Sequence, residues 1–230
     1  MTAIQQILFT DRGDEWRRIA EALGFSAPYP PSPEWAEFHG GGSFALHRVM
    51  DDHPAGSVDL HVLVDDLDHA ERALAAFRPD RFVMEGVGET LAARIGGISF
   101  TVGEGSAGGG GAVAVQPIVF APDLADLRTA LEALGVRPVI ASESGGWVEL
   151  ATDGGGSLGL HHAEEPRVGL SFLSAEDPDA LAARLREEGF AAAVIDEAFG
   201  RTVRLPDPDG GEGVWINEVQ TDLHGYRPVG

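Results

Sequence analysis

Apolar and polar residues alternate in many short stretches of this sequence, whereas other stretches have an apolar residue every three or four positions. The first pattern predicts strands and the second predicts helices. In the first half, strands are predicted at residues 4–10, 58–64, 82–84, 90–95 and 98–102, and helices at 14–23 and 66–77. Gly24 is a suitable stop for the first helix, and Asp66 is a suitable N-terminal cap for the second.

The second half has the same succession of elements. Strands are predicted at residues 113–120, 168–173, 192–195, 202–205 and 214–219, and helices at 123–134 and 177–188. Each half also contains a hairpin with Gly-Gly-Gly-Ser at its turn, from Trp35 to Arg48 in one and from Trp147 to His162 in the other. The chain is therefore predicted to consist of four units, each a strand, a helix and three strands.

One such unit cannot bury its own sheet, so the units are expected to pair into two domains of the α+β class. The glycine run within residues 106–112 is typical of a flexible linker and separates halves of similar length. We expect a first domain at residues 1–105, with units at 1–56 and 57–105. The second domain is expected at residues 113–230, with units at 113–165 and 166–230.

Composition limits the classes of function. The 230 residues include 37 acidic and 16 basic side chains, a net charge of −21 that disfavours binding to nucleic acids and to anionic membranes. The absence of cysteine excludes disulfides and thiolate chemistry. No apolar run approaches the roughly 20 residues that span a membrane, and the N-terminal residues do not have the pattern of a secretory signal. We therefore expect a cytoplasmic protein whose acidic surface keeps it soluble, or one that prefers cationic ligands.

Three motifs together resemble one known superfamily. They are the helix from Asp123-Leu to Leu134-Gly135, the hairpin Gly-Gly-Gly-Ser-Leu-Gly-Leu-His161, and Arg204-Leu-Pro-Asp-Pro-Asp-Gly210 before the last strand. They resemble the vicinal oxygen chelate superfamily, which includes glyoxalase I, extradiol dioxygenases and bleomycin-resistance binding proteins. The resemblance covers both halves and implies two glyoxalase-like domains with cupped mixed sheets. It leaves the function open, because the superfamily contains both metalloenzymes and metal-free binding proteins.

The resemblance also implies where metal ligands would lie. In metal-dependent members, a ligand on the first strand of a unit sits seven residues before the acidic residue that opens the helix. This count gives Asp59, with His61 two residues later on the same strand face. Together with His47 at the end of the first hairpin, these residues would form a set suited to Fe, Mn, Zn or Ni. A half-buried histidine bonded to a neighbour is an equally good interpretation of His61.

The same count predicts further residues facing the two cups. In the first cup it gives Ile4, with Gln6 two residues further on, beside His47 and His61. In the second cup the predicted binding residues are Gln116, His161, Ser171, Trp215 and Asn217. Trp35 and Trp147 are candidate platforms for a planar ligand, and core packing is the alternative. Glu37 and Glu149 share a strand face with these tryptophans. A carboxylate beside an indole would suit a cationic guest, and surface exposure is the simpler interpretation of both.

Our leading hypothesis is a metal-free small-molecule binding protein of this superfamily that sequesters a drug or natural product. Its motivation is the incomplete ligand set together with the amide and aromatic residues assigned to the cups. The alternative is a metal-dependent lyase or dioxygenase with its site in the first domain and a divalent metal (Zn, Ni, Mn or Fe) on His47, Asp59 and His61. A third possibility is a structural relative whose cups are filled by side chains. The expected partner is a small molecule, and the protein is expected to be a monomer or a homodimer.

Overall fold

The computed structural model describes residues 1–84, 87–108, 110–197, 200–221 and 223–229. In the first half the strands are β1 (Thr2–Phe9), β2 (Trp35–Gly40), β3 (Gly42–His47), β4 (Val58–Val64), β5 (Asp80–Met84), β6 (Gly88–Ile95) and β7 (Ile98–Glu104). Helices α1 (Gly13–Ala22) and α2 (Leu67–Ala73) follow β1 and β4, and a turn of 3-10 helix at Ala75–Phe77 extends α2.

In the second half the strands are β8 (Val113–Val115), β9 (Ile118–Ala121), β10 (Arg137–Ser142), β11 (Trp147–Ala151), β12 (Ser157–His162), β13 (Arg167–Gly169), β14 (Phe172–Ser174), β15 (Ala193–Glu197), β16 (Gly200–Leu205), β17 (Val214–Glu218) and β18 (Tyr226–Pro228). Helices α3 (Ala125–Ala133) and α4 (Pro178–Glu187) lie between them. The predicted α+β class is confirmed. In the described part of the chain, no helix has the length and apolar character needed to cross a membrane.

Units one and two share one seven-stranded sheet in the order β2-β3-β1-β4-β7-β6-β5. The two units meet where β1 runs antiparallel to β4, with Gln5 opposite His61 and Ile7 opposite Asp59. Within each unit the first strand runs parallel to the last strand, β1 beside β3 and β4 beside β7. The structure thus shows that consecutive units pair, which the sequence left undecided.

The first unit has one strand fewer than predicted. After α1 the chain forms only an isolated bridge, in which Ser26 pairs with His39, before it reaches β2. Four prolines lie between residues 28 and 33, and proline has no N–H to donate to a sheet ladder. The prediction of three strands after this helix is therefore wrong for unit one.

The first strands of units three and four are each interrupted in the middle. Strand β8 pairs with β14 and β9 pairs with β13, so two antiparallel ladders follow each other along the same pair of segments. The amide of Gln116 still donates to the carbonyl of Ser171 between them, at 3.0 Å, but Pro117 has no N–H. The second half consequently forms a six-stranded sheet, β13-β9-β12-β11-β10-β18, and a five-stranded sheet, β15-β16-β17-β14-β8.

The helices pack one apolar face on the sheets and end as the sequence predicts. Leu127, Ala130 and Leu131 of α3 are fully buried and recur at helical spacing. Gly24 and Gly135 follow their helices with φ of 88° and 90°, the left-handed conformation that stops a helix and suits glycine. Each helix is thereby fixed on the side of the sheet that faces away from the cup.

The two halves of the chain share one hydrophobic core. The ring of Phe44 in the first half meets that of Phe172 in the second, edge to face, with centroids 5.3 Å apart. Backbone bonds also cross between the halves, from the amide of Ile4 to the carbonyl of Gly155 and from the amide of Gly154 to the carbonyl of Thr2. The halves are therefore packed against each other along an extensive surface.

Part of the segment predicted to be a flexible linker is packed. Ala107 is 1% exposed and forms a small buried cluster with Ala3 and Leu63, which lie on the cup face of β1 and β4. Gly108 runs close to the ring of His39. The chain therefore crosses the first cup on its way to the second half, and the domain boundary at residues 106–112 stays a prediction.

Candidate functional site

The first cup is the face of the seven-stranded sheet that carries Gln5. This residue lies opposite His61 on β4 and beside Ser43 on β3, so the three side chains point to the same side. Gln6, which we predicted to face this cup, lies on the other face of β1 and is fully buried in the core between the halves. The prediction was wrong by one residue, and such a shift moves a side chain through the sheet.

The register explains the error. Phe9 pairs with His47 and Phe120 pairs with His161, so Gln5 is the counterpart of Gln116 in the second half. The connection from this strand to the acidic residue before the helix is one residue shorter in unit one than in unit three. The count of seven residues back from Asp11 therefore assigns Gln6, instead of Gln5, to the cup face of β1.

A hydrogen-bonded network occupies the first cup around Glu37. Its Oε1 accepts from Gln5 Nε2 at 3.0 Å and from the Ser43 hydroxyl at 3.0 Å, and it lies 2.8 Å from His39 Nε2. The hydroxyl of Tyr29 donates to the second oxygen. Burial would raise the pKa of Glu37, but these hydrogen bonds lower it below its usual value. Glu37 is thus an inward-facing carboxylate, and the interpretation of surface exposure is wrong.

His61 is buried beside this network and has its own partner. Its side chain is 4% exposed, and Nδ1 is hydrogen-bonded to the Thr101 hydroxyl at 2.6 Å. The ring edge that carries Nε2 lies against Gly103, where an added Cβ would come within 2.9 Å. Burial lowers the pKa of His61 to about 4, so the imidazole is neutral near pH 7. This arrangement matches the interpretation of a strand histidine bonded to a neighbour.

The three residues of the proposed metal set do not converge. His47 lies on β3 and Asp59 on β4, with β1 between them, so two strand spacings of about 4.8 Å separate their backbones. Asp59 Oδ2 lies 3.3 Å from His53 Nε2, and His47 Nδ1 is hydrogen-bonded to the Arg48 carbonyl at 2.6 Å. Burial raises the pKa of Asp59, and the nearby His53 opposes this effect.

Trp35 and His47 lie at a different place from the centre of the first cup. Together with the segment from Thr10 to Arg17 they line a surface groove of about 550 Å³ beside the start of α1. Trp35 Nε1 donates to the Tyr29 hydroxyl at 2.9 Å, which fixes the indole at the rim. Trp35 is therefore not packed in the core, and its role as a platform for a planar ligand stays a prediction.

The second cup contains a cavity of about 630 Å³, within the range of small-molecule sites. Three of the predicted residues, Ser171, Trp215 and Asn217, line it. Gln116 is buried beside them but does not line the cavity, and Trp147 and His161 lie outside its lining. The residues that complete the wall include Ile118, Phe120 and Arg167 on one side and the loop from Asp207 to Gly213 on the other.

A short chain of hydrogen bonds holds the polar floor of this cavity. The Thr202 hydroxyl donates to Asn217 Oδ1 at 2.9 Å, and Asn217 Nδ2 donates to the Ser171 hydroxyl oxygen at 3.0 Å. Thr202 is fully buried and Ser171 is 1% exposed, so both hydrogen-bond partners of Asn217 are held by the surrounding core. The Asn217 amide is therefore fixed in one orientation, with its N–H groups towards Ser171 and the cavity.

Each aromatic residue of the cavity is stacked with an arginine. The guanidinium of Arg167 lies 3.6 Å from the ring centroid of Phe120, and that of Arg204 lies 4.7 Å from the ring centroid of Trp215. Phe120 and Arg167 face each other across β9 and β13 in register. Stacking of this kind reduces the rotational freedom of both side chains.

Trp147 has a separate role in the second cup. The six-membered ring of its indole lies against Gly159 on the neighbouring strand, where an added Cβ would come within 2.2 Å of the Cη2 atom. Glu149 faces the same side of the sheet, and in the described part of the chain no side chain forms a hydrogen bond or ion pair with it. Burial raises the pKa of Glu149. This half-buried carboxylate departs from the predicted surface position.

The loop that closes the cavity is anchored to the other half of the chain. Asp209 Oδ2 accepts from Trp16 Nε1 at 2.7 Å, and Oδ1 accepts from the Thr10 hydroxyl at 2.9 Å. Trp16 lies on the buried face of α1 and is itself fully buried. No pattern in the sequence indicates that the turn from Asp207 to Gly210 reaches the first half, because that contact depends on how the halves dock.

Neither cup offers a ligand set that fits the divalent metal implied by the superfamily. Within the described ranges, no three His, Cys, Asp or Glu side chains are close enough to hold an ion. In the second cup the positions expected for ligands carry Gln116, Ser171 and Asn217, whose neutral oxygen and nitrogen atoms are weak ligands for transition metals. In the first cup the carboxylate and imidazoles are engaged with protein partners.

Comparison with solved structures places this architecture among known ones. The chain is similar to the 2,3-dioxygenase LapB from Pseudomonas sp. KL28, with a TM-score of 0.65 and 13% identity over 95% of this chain and 91% of that one. It is also similar to homoprotocatechuate 2,3-dioxygenase from Arthrobacter globiformis, with a TM-score of 0.63 and 14% identity over 96% and 80% of the two chains. A Mn(II)-bound glyoxalase from Novosphingobium aromaticivorans gives a TM-score of 0.59 and 14% identity over 94% and 80%.

The chain has the fold of the vicinal oxygen chelate superfamily, as the sequence resemblance predicted. At the level of sequence, no protein-family model and no curated protein matches it. The likeness is therefore one of fold, with two cups that carry different side chains from each other.

Proposed function

We propose that this protein binds a small organic molecule in the cavity of the second cup. The observation that carries the proposal is the cavity of about 630 Å³ lined by Phe120, Trp215, Ser171 and Asn217. Aromatic walls around a few fixed polar groups are the usual composition of a small-molecule site. Binding without a catalysed reaction, as in the sequestration of a drug or natural product, requires only such lining residues and no catalytic group.

The first cup is a poorer candidate. Its polar groups already satisfy one another around Glu37, and Ala107 of the connecting segment is buried against its face. A ligand would have to displace these contacts before it could bind. We therefore assign the small-molecule site to the second cup, where the domain proposed to begin at residue 113 supplies most of the lining and Leu8, Ala55 and Gly56 of the first half supply the rest.

A metal-dependent lyase or dioxygenase is the second candidate, and the structural neighbours favour it. They are 2,3-dioxygenases and a Mn(II)-bound glyoxalase, which are enzymes rather than binding proteins. The side chains of this chain favour the first candidate, because His47, Asp59 and His61 do not converge. The metal content of the protein decides between the two.

The experiment pairs a cavity-filling variant with a matched control. Ile118 lines the second cavity, and Ile7 holds the corresponding position on β1 of the first cup. A set of planar aromatic compounds is screened by ligand-observed NMR against the protein, Ile118→Trp and Ile7→Trp. We expect binding that Ile118→Trp abolishes and Ile7→Trp leaves intact, with circular dichroism and thermal unfolding showing that both variants fold.

Metal analysis of tag-free protein accompanies the screen, before and after incubation with Zn(II), Ni(II), Mn(II) and Fe(II). A stoichiometric metal that survives dialysis and is lost in His61→Ala would overturn metal-free binding and favour the enzyme. Binding that is equal in Ile118→Trp and the unchanged protein would show that the site lies elsewhere. If the screen finds no compound whose binding is lost in Ile118→Trp, the proposal is contradicted.

A further inference from the structure

We propose that the ligand of the second cup is a planar aromatic compound that carries a carboxylate, with its oxygens on the cavity floor. This inference rests on the proposed function and specifies the class of ligand. It depends on three groups that donate hydrogen bonds, Ser171, Asn217 and Arg167, which all line the same cavity.

The floor presents donors rather than acceptors. The Asn217 oxygen is already taken by the Thr202 hydroxyl, and one N–H of Asn217 donates to the Ser171 oxygen. The second N–H of Asn217 and the hydroxyl proton of Ser171 have no acceptor among the described residues. Buried donors are stabilised when they find an acceptor, and a ligand oxygen at this place would accept from both.

Arg167 adds a positive charge to the wall of the cavity. In a chain with 37 acidic residues, its guanidinium forms no ion pair with any carboxylate of the described ranges and is instead stacked on Phe120. A guanidinium carries five donors in a planar fork that matches a carboxylate. The stacked position leaves these donors available to an anion beside the ring.

The carboxylates that line the cavity belong to its rim. Asp209 accepts from Trp16 and Thr10 of the first half, and one oxygen of Asp207 accepts from the amide of Asp209. Burial raises the pKa of Asp207, and its hydrogen bond from the Asp209 amide opposes this effect. The cavity is therefore polarised, with donors at its floor and its acidic side chains, which include the exposed Glu212, in the loop from Asp207 to Gly213, so an anionic ligand end is directed to the floor.

The shape of the site favours an aromatic body. Phe120 and Trp215 present flat surfaces that rings can stack on, and Ile118 and Leu170 add apolar area. A volume of about 630 Å³ accommodates a fused two-ring compound. An aliphatic acid would satisfy the donors but would leave the aromatic walls without stacking partners.

Three naphthalene derivatives of matched shape and different charge provide the test. They are 1-naphthoate, the neutral 1-naphthamide and the cationic 1-naphthylmethylamine, each titrated by calorimetry at pH 7. We expect 1-naphthoate to bind at least about tenfold more tightly than the ammonium compound, since only the carboxylate accepts charge-assisted hydrogen bonds from these donors. Arg167→Gln should weaken 1-naphthoate by about tenfold and 1-naphthamide much less, whereas Arg128→Gln on the surface of α3 should change neither.

Asn217→Asp tests the floor, because it keeps the shape of the side chain and replaces a donor with an anionic acceptor. We expect this variant to lose its affinity for 1-naphthoate and to bind 1-naphthylmethylamine more tightly. If Asn217→Asp does not fold, Arg167→Gln still tests the preference for an anionic ligand. Arg167 is exposed, so its replacement is not expected to prevent folding. Tighter binding of the ammonium compound, still blocked by Ile118→Trp, would overturn the ligand class and leave the binding function intact. No cavity-dependent binding of any of the three, together with a negative wider screen, would overturn the binding function itself.

Discussion

Gln5 and Gln6 are adjacent in sequence but have opposite surroundings. Gln5 Nε2 donates to Glu37 at 3.0 Å and to Ser43 at 2.9 Å in the first cup. Gln6 is fully buried on the other face of β1, and neither its amide oxygen nor its nitrogen has a partner among the described groups. A buried amide without hydrogen bonds is costly, so the two residues should respond to substitution with opposite signs.

Replacement of Gln6 by Met should stabilise the protein. Met fills a similar length without polar atoms, so the desolvation cost of the amide is removed, and we expect the free energy of unfolding to rise by about 1–2 kcal/mol. Gln5→Met should lower it by a similar amount, because Glu37 loses a donor. Urea unfolding followed by circular dichroism measures both. A loss of stability in Gln6→Met would show that the Gln6 amide is hydrogen-bonded in solution.

His61 should make the protein sensitive to mild acid. Its pKa is about 4 in the folded chain against 6.5 as a reference, because burial disfavours the charged form. Between these pH values the unfolded chain binds more protons, so stability falls as the pH decreases through this window, by about 3 kcal/mol in all. His61→Gln should remove this part of the pH dependence, whereas His162→Gln at an exposed position should not. Equal pH profiles for the unchanged protein and His61→Gln would refute the assignment.

The contact between Gly159 and Trp147 predicts a specific steric effect. A Cβ at position 159 would lie 2.2 Å from the indole, so Gly159→Ala must displace Trp147. We expect a loss of about 1–3 kcal/mol in stability and a red-shifted tryptophan emission. Trp147→Phe combined with Gly159→Ala should recover part of the loss. Gly13→Ala serves as control, since nothing lies within 4 Å of its added Cβ. Unchanged emission in Gly159→Ala would contradict the packing described.

Asp209 should couple the cavity loop to the first half. Asp209→Ala leaves the buried N–H of Trp16 without its acceptor, and we expect a loss of about 1–3 kcal/mol. In a Trp16→Phe background the same substitution should cost less, because the donor is already absent. The coupling energy from such a double-mutant cycle should exceed about 0.5 kcal/mol. Additive effects of the two substitutions would show that the contact contributes nothing.

Periodicity was sufficient to predict most of the fold, because burial on one face imposes the helical and strand patterns directly. The helices at residues 14–23 and 123–134 are found as α1 (Gly13–Ala22) and α3 (Ala125–Ala133). The errors occur where backbone hydrogen bonding, which the pattern does not encode, decides the outcome. Proline removed a strand before Trp35 and interrupted the strand at Pro117, although the apolar alternation continues on both sides.

The site was harder to predict, because it depends on register and on contacts between distant segments. Ser171, Trp215 and Asn217 were found because strand alternation placed them on the inner face. Gln6 was misplaced by a one-residue difference in loop length. Phe120 and Arg167 were missed, although Phe120 lies four residues after Gln116 on the same strand pattern and could have been inferred from the alignment with Phe9.

The contact of Phe44 with Phe172 implies that the chain unfolds as one cooperative unit. Neither half can lose its structure without exposing the aromatic rings that the other half covers, so separate melting transitions are not expected. Occupancy of the second cup then adds its binding free energy to the stability of the whole chain. Amide hydrogens of β1, which lies in the other sheet, should exchange more slowly when the ligand is bound.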